Sequence, residues 1–128
     1  MVFSIRDVRS ANLLGEFAEC HNDDITQLHF HPTDPKQLVT SSEDGLISTF
    51  ILKDDLNEDD SLESVMNTTQ TPAKIGFFGA KYEFLYCATN VQTLSIWNHE
   101  NVCPFLYFFL FDHPDIPYLF LFFFSTRL

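Results

Sequence analysis

An all-β chain, assembled from a recurring unit of short antiparallel strands, is what three observations predict. Runs rich in β-branched and aromatic residues, such as Leu38-Val39-Thr40-Ser41-Ser42 and Phe84-Leu85-Tyr86-Cys87-Ala88-Thr89, have the length of strands rather than of helices. Asp44-Gly45 stands between two such runs, and a tight primed turn wants residues that tolerate positive φ, so the pair reads as a hairpin. Leu46-Ile47-Ser48-Thr49-Phe50 aligns without a gap on Thr93-Leu94-Ser95-Ile96-Trp97, 47 residues further on, which is the spacing of a repeat array.

Composition bounds what such a chain does. Its 128 residues make one small domain at most, and 45% apolar content supplies a core of ordinary size. The 7 basic and 18 acidic residues leave a formal charge of -11, which argues against a free-standing binder of nucleic acid or anionic membrane, because phosphate attraction needs clustered Lys and Arg. Basic proteins are the partners this charge favours. Cys20, Cys87 and Cys103 form no C-x-x-C pair and are odd in number, so neither a disulfide framework nor a zinc ribbon is indicated. Arg6, Asp7 and Arg9 interrupt any apolar run at the start, so no signal peptide is read there. The expected compartment is intracellular and reducing, cytoplasmic or nuclear.

In chain order, Val2-Phe3-Ser4-Ile5 alternates as a strand and meets the polar turn Arg6-Asp7-Val8-Arg9. Leu13-Leu14-Gly15-Glu16-Phe17 is a further strand, so residues 1–18 hold the end of one unit. Residues 19–70 hold a complete one. Ile25, Leu28 and Phe30 carry its first strand, which should stop near His31 because Pro32 and Pro35 cannot donate to a ladder. Leu38 to Ser42 is its second strand and Leu46 to Leu52 its third. The run from Lys53 to Glu63 carries six acids and one base. No packed interior holds so many unpaired carboxylates, so 53–63 is placed as a solvated acidic loop, with a fourth strand from Leu62 through Met66. Residues 71–102 repeat the unit in degenerate form, with Ile75-Gly76-Phe77-Phe78, Phe84 to Thr89 and Thr93 to Trp97 as strands.

The order of Cys20-His21, His31-Pro32, Ser41-Ser42, Asp44-Gly45 and Phe50 resembles the repeat of the WD40-repeat β-propeller family, and the likeness covers about residues 2–100. Arg6-Asp7 stands where that family commonly closes its third strand with Trp-Asp, Cys20 where it usually has Gly, and Phe50 at its Trp position. Trp97 and Thr89 match in the second repeat, whereas Thr71 falls where its histidine should be and Val91 where its turn aspartate should be. From Arg6 to Phe50 is 44 residues and from Phe50 to Trp97 is 47, against a family period of roughly 40–45. The resemblance implies a partial β-propeller of about two four-stranded antiparallel blades, not enough to close a ring. The chain then reads as a fragment or truncated form of a longer propeller.

In that family the histidine bonds the turn aspartate and a hydroxyl on the second strand, and the hydroxyl in turn meets the Trp indole N–H. Carried over, the structural network is His21, Asp44, one of Thr40 and Ser42, and Phe50, with Trp97 in the second repeat. Phe50 has no N–H, so the last donor is missing and the network should be shorter and weaker. His, Ser and Asp also invite a hydrolase reading. A triad needs an activated serine at a strained elbow, and no G-x-S-x-G frame exists, so neither catalysis nor a cofactor is expected. His29 and His31 flank Phe30 and would share one side of a strand, but the third and fourth ligands of a metal site are wanting. The acidic run lacks the central Gly and the carboxylate spacing of a calcium loop. Asp54, Asp55, Glu58, Asp59, Asp60 and Glu63 remain as a candidate partner surface.

From Cys103 onward the pattern fails, and 103–128 reads as a Phe-rich tail outside the propeller pattern. Pro104 to Phe111 and Pro117 to Phe124 are apolar runs of eight residues, whereas a spanning helix needs about twenty. The expected function is a noncatalytic protein-interaction scaffold with other proteins, basic ones above all, as partners, and with no nucleic acid and no small-molecule substrate. The alternative is a soluble fragment with a membrane-associated aromatic C-terminal tail.

Overall fold

The computed structural model describes residues 2–98 in full and, beyond them, the backbone strands at 103–111 and 119–123. β1 (Phe3–Arg6) and β2 (Leu13–Phe17) pair antiparallel, with Phe3 opposite Phe17. The Asp7 carboxylate accepts the N–H groups of Arg9 and Ser10, a local bond that competes with the ladder and turns the chain.

β3 (Ile25–Phe30), β4 (Gln37–Ser42), β5 (Leu46–Ile51) and β6 (Leu62–Asn67) form a four-stranded sheet in chain order, every neighbour antiparallel. β3 ends where Pro32 removes a donor, and the chain returns with the His31 N–H bonded to Gln37 O at 2.9 Å. Between β4 and β5 the Gly45 N–H bonds Ser42 O at 3.2 Å, so Glu43 and Asp44 are the central pair and Gly45 follows them at a φ of 83°; the hairpin lies where Asp44-Gly45 predicts it, but the left-handed residue comes after the turn instead of within a primed one.

β7 (Pro72–Phe78), β8 (Phe84–Thr89) and β9 (Thr93–Asn98) repeat the first three strands. β10 (Cys103–Phe111) lies antiparallel on β9 as β6 lies on β5, and β11 (Leu119–Phe123) pairs with β10. Both strands come from the segment read as a tail; its other residues, and 99–102 of the second repeat, lie outside the described residues.

The expected solvated loop at 53–63 differs in detail. Its second half is α1 (Glu58–Ser61), a single turn capped by Asn57, whose side chain accepts from the Asp59 and Asp60 N–H groups. Leu62 and Glu63 already belong to β6. Acids at the start of a helical turn are where the backbone dipole favours them, so the run folds locally instead of staying open.

Two apolar seams hold the units together. β4 and β5 are buried on both faces, because their side chains alternate between the seams. Leu38 and Phe50 pack against Phe17, with Phe3 and Ile5 beside them, so this seam joins the sheet to the β1–β2 hairpin. Phe3 and Phe17 stack at 4.8 Å between centroids, and Phe50 meets Phe17 edge-on at 5.3 Å. Val39, Ile47 and Met66 pack against Ile75, Leu85, Cys87 and Trp97, joining it to the next sheet. Across this second seam Gln27 Oε1 accepts the Ile75 N–H at 2.7 Å, and His31 Nε2 meets Tyr82 O at 3.2 Å. Apart from the single helical turn the fold is all-β, a partial propeller in which no ring closes among the described residues.

Candidate functional site

His21 arrives on the segment between β2 and β3 and is buried, 3% exposed. Its Nδ1 lies 3.2 Å from Asp44 Oδ2 and its Nε2 2.7 Å from Thr40 Oγ1. A carboxylate only accepts, so Nδ1 carries the proton toward Asp44, and in the neutral ring Nε2 accepts the Thr40 hydroxyl hydrogen. Asp44 also accepts the Asn22 N–H at 3.0 Å and the Leu46 N–H at 2.9 Å. Burial pushes the Asp44 carboxyl up, but these backbone donors and His21 outweigh it and hold it below its ordinary value.

Of the two hydroxyls carried over as candidates, Thr40 is the one that meets the histidine. Ser42 holds the turn instead: its Oγ donates to Asp23 O at 3.1 Å and accepts the Asp44 N–H at 3.2 Å. Phe50 stands outside this cluster, opposite Leu38 in the ladder and inside the hairpin seam.

Trp97 belongs to the next sheet, where its Nε1–H donates to Ser95 Oγ at 2.8 Å. Ser95 lies opposite Cys87 as Ser48 lies opposite Thr40. Ser48 Oγ is buried with no hydrogen-bond partner among the described residues. Ser48 and Ser95 belong to no motif that marks them in the sequence, although the gapless alignment of Leu46–Phe50 on Thr93–Trp97 matches them. At the second turn, Gln92 occupies the place of Gly45 and takes a φ of 63°.

The arrangement is chemically closed. Thr40 and Ser42 are fully buried, so the hydroxyl that His21 Nε2 meets is closed off from solvent. His29 is exposed, whereas His31 is buried with Nδ1 accepting the Thr33 N–H at 3.3 Å, and no group of three potential metal ligands occurs among the described residues.

The acidic residues divide. Asp54, Asp55, Asp59, Asp60 and Glu63 are exposed. Glu58 turns inward: its carboxylate accepts the Ala18 N–H at 2.8 Å and the Glu19 N–H at 3.0 Å. The Cys20 thiol lies against the same carboxylate, and burial together with the Glu58 charge pushes it up to about 11. Burial raises the Cys87 thiol to about 11 as well. The contact of Glu58 with Ala18 and Glu19, 40 and 39 positions earlier, has no signal in the local charge pattern. No described helix is long and apolar enough to cross a membrane.

No family model matches the chain. It is 46% identical over 95 residues to the WD repeat-containing protein GTS1 of Arabidopsis thaliana, a match covering 74% of this chain and 24% of that protein. It is 33% identical over 92 residues to the WD repeat-containing protein 89 homolog of Dictyostelium discoideum, covering 72% of this chain and 25% of that one. Human nucleoporin Nup43 is 34% identical over 61 residues, 48% of this chain and 16% of its own. The chain thus spans about a quarter of the length of the first two curated relatives.

Proposed function

Because the chain belongs to the WD-repeat family, we propose that it serves as a noncatalytic protein-interaction scaffold, working as part of a longer propeller and presenting its outward acids to basic partners. The observation that carries this reading is the division of its polar groups. The His21–Thr40–Asp44 set is spent on holding the β4–β5 turn, while Asp54, Asp55, Asp59 and Asp60 point outward on a short ordered segment. A set of exposed carboxylates on a chain of charge -11 attracts cationic surfaces and repels phosphate. Cys20 and Cys87 are free, which suits a reducing compartment, cytoplasmic or nuclear.

The test is a titration of the chain with decalysine as the cationic probe. Binding is expected to weaken as salt rises and to fall about tenfold or more when Asp54, Asp55, Asp59 and Asp60 are all changed to Asn. Equal affinity for parent and variant would remove the basic-partner reading.

A further inference from the structure

We propose that residues 52–61 form a strap latched by Glu58 across the seam between the β1–β2 hairpin and the four-stranded sheet, and that cationic charge bound to the outward acids tightens this latch. The first half stands on geometry alone; the second rests on the basic-partner reading above. The strap is fixed to β2 and its exit at two places. At one, Leu56 sits on Gly15 so closely that a Cβ there would come within 2.8 Å of Leu56 Cβ and 3.0 Å of its carbonyl oxygen. At the other, Glu58 takes the Ala18 and Glu19 N–H groups on its two oxygens, with a further contact of 3.2 Å from the Glu19 N–H to Oε2.

At the first of these points Leu56 holds a φ of 46°, a left-handed conformation that a leucine leaves readily once its contacts are lost. The strap is therefore a locally strained segment held by few contacts, the kind that opens without unfolding the rest. Charge works against the latch. The strap carries Asp54, Asp55, Asp59 and Asp60 against one base, Lys53, and the Glu58 bonds bring it up to the exposed Glu19, with exposed Glu16 on β2. Neutralising the outward acids relieves that repulsion while leaving the Glu58 bonds intact.

Amide hydrogen exchange at Ala18 and Glu19 in the 128-residue chain reads the latch directly. Glu58→Ala is expected to speed exchange at both amides about tenfold or more, since both lose a charged acceptor. Glu58→Gln keeps one acceptor oxygen and should free them in part. Gly15→Ala blocks the Leu56 seat without touching any charge and should speed the same two amides. Saturating decalysine should slow them in the parent and leave them unchanged in Glu58→Ala. Exchange equal in parent, Glu58→Ala and Gly15→Ala overturns the latch. Decalysine that binds without slowing Ala18 and Glu19 overturns the charge coupling. Decalysine that does not bind overturns the basic-partner reading and the coupling with it, and the latch is then decided by the variants.

Discussion

The indole Nε1–H of Trp97 donates to Ser95 Oγ at 2.8 Å, and the same pair of positions one repeat earlier holds Phe50 and Ser48, which cannot form that bond. The first repeat has the histidine set without an indole, and the second has the indole, bonded to a serine of its own strand β9 instead of to a hydroxyl of β8. The first has His21, Thr40 and Asp44 but no indole; the second has the indole and Ser95, with Thr71 and Val91 where histidine and aspartate would stand. The Ser48 hydroxyl is what remains when the donor is replaced by a phenyl ring that fills the seam instead.

Replacing the two serines should therefore give opposite results. Ser48→Ala removes a buried hydroxyl with no partner among the described residues and is expected to be neutral or stabilising by up to about 1 kcal/mol. Ser95→Ala removes the acceptor of a buried indole donor and should cost about 1–2 kcal/mol. Urea unfolding of both variants measures the difference, and a larger loss in Ser48→Ala would contradict the assignment.

Gln92 takes the left-handed conformation that glycine provides at position 45. Gln92→Gly should stabilise the chain by roughly 0.5–1 kcal/mol, the relief of strain being partly offset by the entropy of an added glycine. At Gly45 a Cβ would find ordinary room, 3.6 Å from Gln70 O, so Gly45→Ala should cost about 1 kcal/mol through its φ of 83° rather than through a clash. Thermal denaturation of the two variants checks both signs.

Asp44 gives the fold an acid dependence. Its folded carboxyl lies below the ordinary value of 3.8, so the unfolded state takes up its proton first as pH falls. Its contribution is complete above the unfolded value and is lost on acidification through the folded one. Stability measured by urea titration between pH 6 and pH 3 should thus fall less steeply in Asp44→Asn than in the parent. His21→Ala, which leaves Thr40 and Asp44 without their shared partner, should cost about 2–3 kcal/mol at neutral pH. An unchanged acid slope in Asp44→Asn would remove Asp44 from the account.

What could be read from the sequence follows the range of the forces involved. Strands such as Ile25–Phe30 and the turn at Asp44-Gly45 were legible because alternation, proline and positive φ act between neighbours. The His21–Asp44 contact, 23 positions apart, came through resemblance to a repeat whose geometry is shared. The choice of Thr40 over Ser42 was not, since both hydroxyls lie on β4 and only the register decides which one reaches the ring. Glu58 was hidden for a further reason: six acids in a run look alike, and only the approach of β2 singles one out.

The thiols supply a last test of burial. Cys20 and Cys87 are both raised to about 11, in each case chiefly by burial, so at pH 8 their thiolate fraction is lower than that of an ordinary cysteine by on the order of a hundredfold. In a Cys103→Ser background, iodoacetamide should modify the folded chain slowly at both sites and rapidly once urea exposes them. The linkage has a definite sign. The unfolded thiols ionise first as pH rises past about 9, so the stability they add is present below that value and is lost as pH climbs through about 11. Cys20 differs from Cys87 in owing part of its rise to the Glu58 charge, so Glu58→Gln should accelerate alkylation at Cys20 and leave Cys87 unchanged. Equal acceleration at both sites would mean that the substitution had loosened the fold rather than removed a neighbouring charge.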